Sequence, residues 1–549
     1  MAHIVLINPR FETSYWGIEH ALPIFHKKAN MPVGCLALLA ALTPSEHTIE
    51  LVDECVEEID FDRIAKADIV GLTGMIVQRA RMREILVELK KRGCFVVVGG
   101  PWVTVSESYF GELADVIFVG EAEETWPKFL QEWRGGKYQL RYEQADKTNM
   151  ATVPTPRLDL LKTDRYLFGS LQFSRGCPFQ CEFCDIIVTF GRKPRVKTHE
   201  QVLAELDRLY ETGVREVFVV DDNLIGNKRV IKELLKAVVD WQVRHDYALS
   251  FFTEASLDLS DDPELLQLMS DGNFLAVFVG VESPSEEALR ETKKFQNVRK
   301  GGTLLERIHT IQNSGLDVWC GMIVGFDSDD QHIFDRQYEF LVSARVTQSS
   351  VGMLHAIPKT PLHARLEREG RLDHSDSPEC GTNVIPKNMS RDQLRDGYIR
   401  VMNDLVEPES FFDRLDSLYV KSKIPYAPAR MAFRRKHRWK QFKAGAFDIA
   451  RALALFASLM WHVNDPLLRR EYRKRLRGVI AARRDPGLVM YYLIKCAVHF
   501  HLYKMAHGLA SGRMVSTFEA APAQKAEPAE KLGSRLRIRE RPRSYSKST

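Results

Sequence analysis

The stretch Gly169-Ser-Leu-Gln-Phe-Ser-Arg-Gly-Cys177-Pro-Phe-Gln-Cys181-Glu-Phe-Cys184-Asp185 decides how this chain is read. Its three cysteines have Cys-x3-Cys-x2-Cys spacing, and thiolates are the ligands that hold iron–sulfur clusters. A cubane cluster takes four ligands. A compact group of three, Cys177, Cys181 and Cys184, therefore leaves one iron open to substrate or cofactor. Zinc sites bring two Cys or Cys/His pairs, and no second pair lies nearby. The odd count and tight spacing argue against a disulfide.

Working outward, the run Ser170–Phe173 leads into the first cysteine as a strand. Downstream, Glu216–Val220, Ser250–Thr253, Ala276–Val281, Val318–Val324 and Val351–Ala356 read as strands. They alternate with helical stretches such as Thr198–Thr212 and Pro263–Asp271. About six βα units result between residues 162 and 391, fewer than the eight of a closed barrel. Upstream, Ile4–Ile7, Ile49–Val52, Ile69–Leu72, Phe95–Val98 and Val116–Val119 alternate with helices over Met31–Leu42, Arg79–Arg92 and Glu123–Trp133. That pattern predicts an open parallel sheet, with ligands at the carboxyl ends of its strands. The loops there carry Asn8-Pro9-Arg10, Thr73-Gly74-Met75, Gly99-Gly100-Pro101 and Gly120-Glu121-Ala122. Glycine lets a backbone approach a ligand closely, though each loop also reads as a strand-ending turn. The segment Thr152-Val-Pro-Thr-Pro-Arg157 reads as a linker.

At the triad the chain resembles the radical S-adenosylmethionine (SAM) superfamily, which implies a partial (β/α)6 barrel. In that superfamily the three cysteines hold a 4Fe–4S cluster and SAM chelates the fourth iron. The reduced cluster cleaves SAM to methionine and a 5′-deoxyadenosyl radical, which abstracts a hydrogen atom from substrate. A one-electron donor of the flavodoxin or ferredoxin type is implied as partner. Phe183 occupies the position that contacts adenine. Asp221-Asp222-Asn223 falls where a short motif binds the SAM amino group, here acidic rather than glycine-rich. The plainer reading makes Asp222 or Asn223 a helix N-cap. Glu254 and Glu282-Ser283 are candidates for the SAM carboxylate surroundings and ribose hydroxyls, or else capped turns. Gly321 and Gly325 resemble the fifth-strand motif that packs on adenine, with Asp327 one position off the usual acid.

The loops at Thr73-Gly74, Gly99-Gly100 and Gly120-Glu121, upstream of the triad, resemble the cobalamin-binding domain of one large radical SAM subfamily. The Asp-x-His-x-x-Gly motif, whose histidine ligates cobalt, is absent here. Cobalamin is therefore expected without a histidine of this chain, against the alternative of a flavodoxin-like domain that binds nothing. The whole of residues 1 to about 510 resembles class B cobalamin radical SAM methyltransferases, and among those the hopanoid C-2 methylases. The likeness is strongest around the triad, at Val220-Asp-Asp-Asn-Leu-Ile-Gly-Asn227, and at Ala356-Ile-Pro-Lys-Thr-Pro-Leu-His-Ala-Arg-Leu-Glu-Arg-Glu-Gly370. Pro101-Trp-Val-Thr and the basic C-terminal region look less like those enzymes.

The expected fold is α/β, with a Rossmann-like cobalamin domain over 1–150, a barrel over 162–391 and a helical domain over 392–509. A disordered tail is expected over 510–549, where the Ala/Pro/Glu/Lys and then Arg/Ser composition is poor in apolar residues. The expected function is methylation of an unactivated carbon in an apolar, hopanoid-like substrate. No side-chain acid, base or nucleophile is required, so no catalytic side chain is assigned. The alternatives are a cyclase or ring-rearranging cobalamin radical SAM enzyme, or a cluster-bearing redox sensor on nucleic acid.

Composition fits this reading. Cys35, Cys55, Cys94, Cys320, Cys380 and Cys496 are scattered, mostly in apolar runs, and read as buried free thiols of a reducing cytoplasm. The first residues enter a strand without a signal-peptide pattern, and no apolar run is long enough to span a bilayer. Net charge is only +4, yet residues 430–484 hold 16 Lys and Arg against three acids. The plainer reading of that segment is a helical bundle with a solvated basic face. The sharper one rests the apolar Ala450–Val463 helix and the basic residues after it on anionic lipid. Nucleic acid finds no recognisable binding motif here.

Overall fold

Each short apolar run near the amino terminus becomes a strand of one parallel sheet in the computed structural model. The model describes residues 1–298, 302–374, 381–511 and 539–540. The elements are β1 (His3–Asn8), α1 (Gly34–Leu42), β2 (Thr48–Asp53), β3 (Ile69–Thr73), α2 (Arg79–Lys91), β4 (Val96–Gly99), β5 (Val116–Val119), α3 (Thr125–Arg134) and β6 (Arg141–Glu143). Strand order is β2-β1-β3-β4-β5-β6, with every pairing parallel. The winding direction reverses between β1 and β3, and such switch points open a crevice at the strands' carboxyl ends. Helix α2 shows why the pattern is legible: Met82, Ile85, Leu86 and Leu89 recur at helical spacing and are all buried. Strand β6 has no apolar run to announce it, since only Tyr142 of its three residues is buried.

These elements belong to a unit comprising residues 1–12 and 33–161. A second unit begins with residues 13–32 and resumes at 162. Its sheet is formed by β7 (Gly169–Leu171), β8 (Glu216–Val219), β9 (Ser250–Glu254), β10 (Phe274–Glu282), β11 (Asp317–Val324) and β12 (Ser349–Met353). They follow sequence order across six parallel strands. Helices α4 (His199–Glu211), α5 (Lys228–Arg244), α6 (Pro263–Asp271), α7 (Leu304–Asn313) and α8 (Ile333–Ser343) make the crossovers, and α9 (Pro361–Arg368) follows β12. The expected N-cap at Asp222 or Asn223 is not found. Helix α5 starts later and is capped by Asn227, which accepts from the Val230 N–H.

The C-terminal helices are α10 (Arg391–Val406), α11 (Pro408–Asp416), α12 (Arg438–His462), α13 (Pro466–Arg483) and α14 (Pro486–Ala510). Helix α14 is apolar on all sides and largely buried. Lys495 on it pairs with Asp317 at 2.8 Å, each side chain 1% exposed, which fastens α14 to the start of β11. His501 accepts from the His20 N–H and donates to the Ser14 carbonyl, holding residues 13–32 to the same helix. Cys94, Cys320 and Cys496 are buried thiols as expected, whereas Cys35 is exposed on α1 and Cys55 half-buried. Cys380 and almost all of 510–549 lie outside the described residues. No helix among the described residues is long and apolar enough to cross a membrane.

Candidate active site

The cysteine loop leaves β7 and is held from the end of β8 by three consecutive side chains. The Asp221 carboxylate accepts from the Phe173 N–H (2.7 Å), the Ser174 N–H (2.8 Å) and the Ser174 hydroxyl (2.6 Å). Asp222 accepts the Gly176 N–H at 2.8 Å. The Asn223 amide donates toward Cys177 Sγ at 3.8 Å and to Ser256 Oγ at 3.1 Å. Asp221 is 1% exposed with both oxygens engaged by the loop, so the expectation that it meets SAM directly gives way to a positioning role. Burial raises Asp221 to about 7 and Asp222 to about 6.

A second set of side chains approaches from the segment after β10. Gln296 donates toward Cys181 Sγ at 3.5 Å. Lys294 pairs with Glu282 at 2.7 Å and lies 5.9 Å from the centre of the Phe183 ring. Burial opposes the charge on Lys294, but Glu282, Cys181 and Cys184 outweigh it and raise the ammonium's pKa. Glu282 adopts φ +68°, a non-glycine residue in the left-handed region at a strand end. Glu254 faces the same acids. Burial, then Asp222 and Glu282, lift it to about 8. Ser283 caps its own turn by accepting from Ser285 N–H, as its plainer reading had it.

The thiols of Cys177, Cys181 and Cys184 are free. Among the described residues no three His, Cys, Asp or Glu side chains converge on one point as a single metal ion requires. A cubane distributes its thiolates over separate irons. Free thiols with N–H donors aimed at two of them and a lysine nearby fit that group.

Phe183 packs against an apolar cluster containing Phe326, Leu354, Ala356 and Leu362. Asp329, 1% exposed, accepts from the Gly325 and Phe326 N–H groups at 2.9 and 3.0 Å. Asp327 is clasped by Arg365 and Arg371, each at 2.7 Å, and by Lys387 at 3.2 Å. Arg365 also reaches Glu182 inside the cysteine motif at 2.9 Å, so this network ties α9 to the triad. Asp327 thus belongs to the scaffold.

On one face of the sheet lies a group of rings that the sequence reading does not single out. Phe218 and Phe252 stack with centroids 4.8 Å apart. Phe252 meets Trp319 at 5.5 Å across the intervening strand β10. Trp16, from residues 13–32, meets Phe278 edge-on at 4.9 Å. Beyond these rings a Cβ at Gly352 would meet nothing within 4 Å, whereas one at Gly321 would lie 2.9 Å from the Phe278 ring and one at Gly280 only 2.3 Å from Glu282 Oε1. Alternation along the strands could have marked Phe218, Phe252, Phe278 and Trp319 as one face.

In the first unit three loops are laced together at the carboxyl edge. Gly100 has φ +98°, and a Cβ there would lie 2.4 Å from Thr73 Oγ1 and 3.0 Å from Gly74 N. Gly99 ends β4 and Gly100 follows it. Thr104 donates to the Gly100 carbonyl and accepts from the Gly120 N–H, both at 2.9 Å. Glu121 is buried and accepts the Thr148 N–H at 3.1 Å, so it braces its loop. At the switch point Asn8 donates to Asp53 and accepts from Gln78, both at 2.9 Å. Gln78 is a further residue that sequence alone does not mark. The unit's two histidines, His3 and His47, sit at the amino ends of β1 and β2, the edge away from these loops.

The radical SAM superfamily model matches residues 171–340, and the model described as "Domain of unknown function (DUF4070)" matches 360–513. The chain is 38% identical to "Uncharacterized methyltransferase sll1242" of Synechocystis, over 90% of each chain. It is 32% identical to the hopanoid C-2 methylase of Rhodopseudomonas palustris, over 96% of this chain and 98% of that one. Among solved structures it shares its fold with the cobalamin-dependent SAM radical enzyme OxsB. There the TM-score is 0.58 at 16% identity, over 95% of this chain and 82% of that one. The radical SAM methyltransferase TsrM of Kitasatospora setae matches with TM-score 0.54 at 15% identity, over 67% of this chain and 75% of that one.

Proposed function

Because this chain belongs to the radical SAM superfamily, in the family that contains hopanoid C-2 methylase, we propose that it methylates an unactivated carbon of an apolar polycyclic substrate. The observation that carries this reading is the triad: three free thiols, two of them facing the Asn223 and Gln296 amides, on a loop that Asp222 holds at Gly176, beside the Lys294–Glu282 pair. When bound, the cluster supplies the electron that cleaves SAM, and cobalamin supplies the methyl group.

Cys177, Cys181 and Cys184 would hold the cluster, and Asn223 and Gln296 would donate to the thiolates. Lys294 offsets their negative charge. Phe183 offers a ring face to adenine, with Gly321 and Gly325 giving close approach. Asp222 supplies a carboxylate oxygen suited to the SAM ammonium, and Glu254 and Glu282 line the surroundings of the SAM carboxylate and ribose hydroxyls. In the first unit Thr73, Gly74, Gly99, Gly100 and Gly120 form the cobalamin edge, with Glu121 bracing it and no histidine supplied. The rings of Phe218, Phe252, Phe278 and Trp319 favour a flat apolar substrate over a charged one.

An apolar polycycle resides in membranes, and the excess of cations over residues 430–484 supports contact with an anionic leaflet. A flavodoxin-like or ferredoxin-like protein would deliver the electron. The test is anaerobic reconstitution with methyl-labelled SAM and a lipid extract. The label is expected in a lipid product together with 5′-deoxyadenosine. SAM cleavage without label transfer would remove the methylation reading, and no cleavage would remove the radical SAM assignment of the triad.

A further inference from the structure

The 25-residue helix α12 presents its least conventional face to solvent. Trp439, Phe442, Ala446, Ala450, Leu453, Ala457 and Trp461 follow one another at intervals of three or four, which places them on one side of a helix. All seven are exposed. Trp439 is 70% exposed, Phe442 69%, Leu453 65% and Trp461 80%. Phe447 and Ile449 flank the stripe, and Leu467, at the start of α13, extends it. The opposite side of α12 is conventional. Ser458 donates to the Ile24 carbonyl, Leu459 and Val463 are buried, and Asp448 is paired with Arg434. The helix is therefore docked on its own unit by one side and apolar along the other. From Trp439 to Trp461 the stripe runs about 33 Å at 1.5 Å per residue.

The rim is cationic. Arg435, Lys436, Arg451, Arg470, Arg473 and Arg477 are exposed around or just beyond this helix. The three acids of residues 430–484 are all engaged within the fold. Asp448 pairs with Arg434, Asp465 caps α13, and Glu471 pairs with Arg475. A long apolar stripe with tryptophan at both ends, no acid facing outward and cations at its edges suits a single partner: the headgroup–acyl boundary of an anionic bilayer.

We infer that α12 lies in the plane of the membrane and inserts its Trp439-to-Trp461 face into one leaflet. This rests on the proposed membrane contact and deepens it. Charge brings the chain to the surface, and α12 holds it there by burying apolar area. The two terms separate by salt, because screening weakens the first and leaves the second.

The test uses the full-length reconstituted chain and vesicles of phosphatidylglycerol and phosphatidylcholine in equal parts, read by co-sedimentation. Wild-type binding is expected to survive about 0.5 M salt with only a few-fold loss. The triple variant Phe447→Ser, Leu453→Ser, Trp461→Ser, all at exposed positions, is expected to lose binding about a hundredfold at either salt. It should keep its cluster and its SAM cleavage. Arg470→Glu, Arg473→Glu, Arg477→Glu is expected to weaken binding at low salt only. Binding that vanishes at high salt and ignores the serine variant would overturn the insertion while leaving a purely electrostatic contact. No binding under any condition would remove both. Wild type that is dimeric in solution by light scattering, with a monomeric serine variant that binds vesicles equally well, would also overturn it. The stripe would then be an interface between copies of this chain.

Discussion

Gly176→Ala tests the cysteine loop at its tightest point. Gly176 has φ +96°, and a Cβ there would lie 2.9 Å from both the Gly191 and Lys193 carbonyl oxygens. Left-handed backbone alone costs an alanine about 1–2 kcal/mol. Relieving the contacts means moving one side or the other. If Gly191 moves, its carbonyl releases the Cys177 N–H, which it accepts at 3.2 Å. If Gly176 moves, its N–H leaves Asp222, 2.8 Å away. The first loss costs about 1 kcal/mol and the second, to a carboxylate, about 1.5–3 kcal/mol. The cheaper route sets the total at about 2–3 kcal/mol, which lowers the population of the native loop by about one and a half to two powers of ten. Gly191→Ala is the matched control. Gly191 also has positive φ, +83°, but a Cβ there meets nothing within 4 Å, so only the backbone cost applies. Iron and sulfide per chain after anaerobic reconstitution, together with 5′-deoxyadenosine formation, report the outcome. Gly176→Ala should lose most of both and Gly191→Ala little. Equal cluster content in the two variants would refute the claim that these contacts shape the cysteine loop.

Four further outcomes are expected. Replacing Cys177, Cys181 or Cys184 by Ala should abolish the cluster's visible absorption and SAM cleavage. Cys320→Ala, at a buried strand thiol, should keep both. Electron paramagnetic resonance of Co(II) cobalamin on the full chain should show no splitting from a protein imidazole nitrogen; observing it would refute the assignment of the carboxyl-edge loops as histidine-free. Burial pulls the Asp327 carboxyl upward, but Arg371 and Arg365 outweigh it and hold it at about 2, below its unfolded value. Its contribution is therefore present above about pH 4 and fades as pH falls toward 2. The melting-temperature gap between wild type and Asp327→Asn should correspond to about 2 kcal/mol at neutral pH and narrow below pH 4. Lys495→Met leaves Asp317 buried without its cation, a loss of about 3–5 kcal/mol. Over a unit of roughly 370 residues that lowers the melting temperature by about 4–6 °C, with cluster content unchanged.

Most strands were legible because their apolar runs are short, β-branched and bounded by Gly, Asn or Asp. Glu216–Val219 and Val116–Val119 begin where the sequence places them. The triad was legible because its chemistry is local. What sequence did not show depends on direction. Periodicity finds the stripe on α12 but does not tell inward from outward, so an apolar helix reads as core when its face is in fact exposed. Asp221-Asp222-Asn223 stood out as polar residues at a strand end. Whether they reach a ligand or the preceding loop is decided by Phe173, Ser174 and Gly176, residues nearly fifty positions earlier. Strand β6 was missed because two of its three residues are charged.

The segment 13–32 carries a cost in time. It is made long before its partner: His20 meets His501, 481 positions later, and Ser14 meets the same ring 487 positions later. At about 5–20 residues per second, the nascent chain waits about half a minute to a minute and a half for its partner to be made. Phe278 is made 262 positions after Trp16, so Trp16 lacks it for about the first half of that interval, and through all of it the unit's opening segment has no helix to close on. Synthesis in pieces, or production of residues 162–511 alone, would therefore yield a barrel lacking a part of its own wall that is encoded before the first unit is complete.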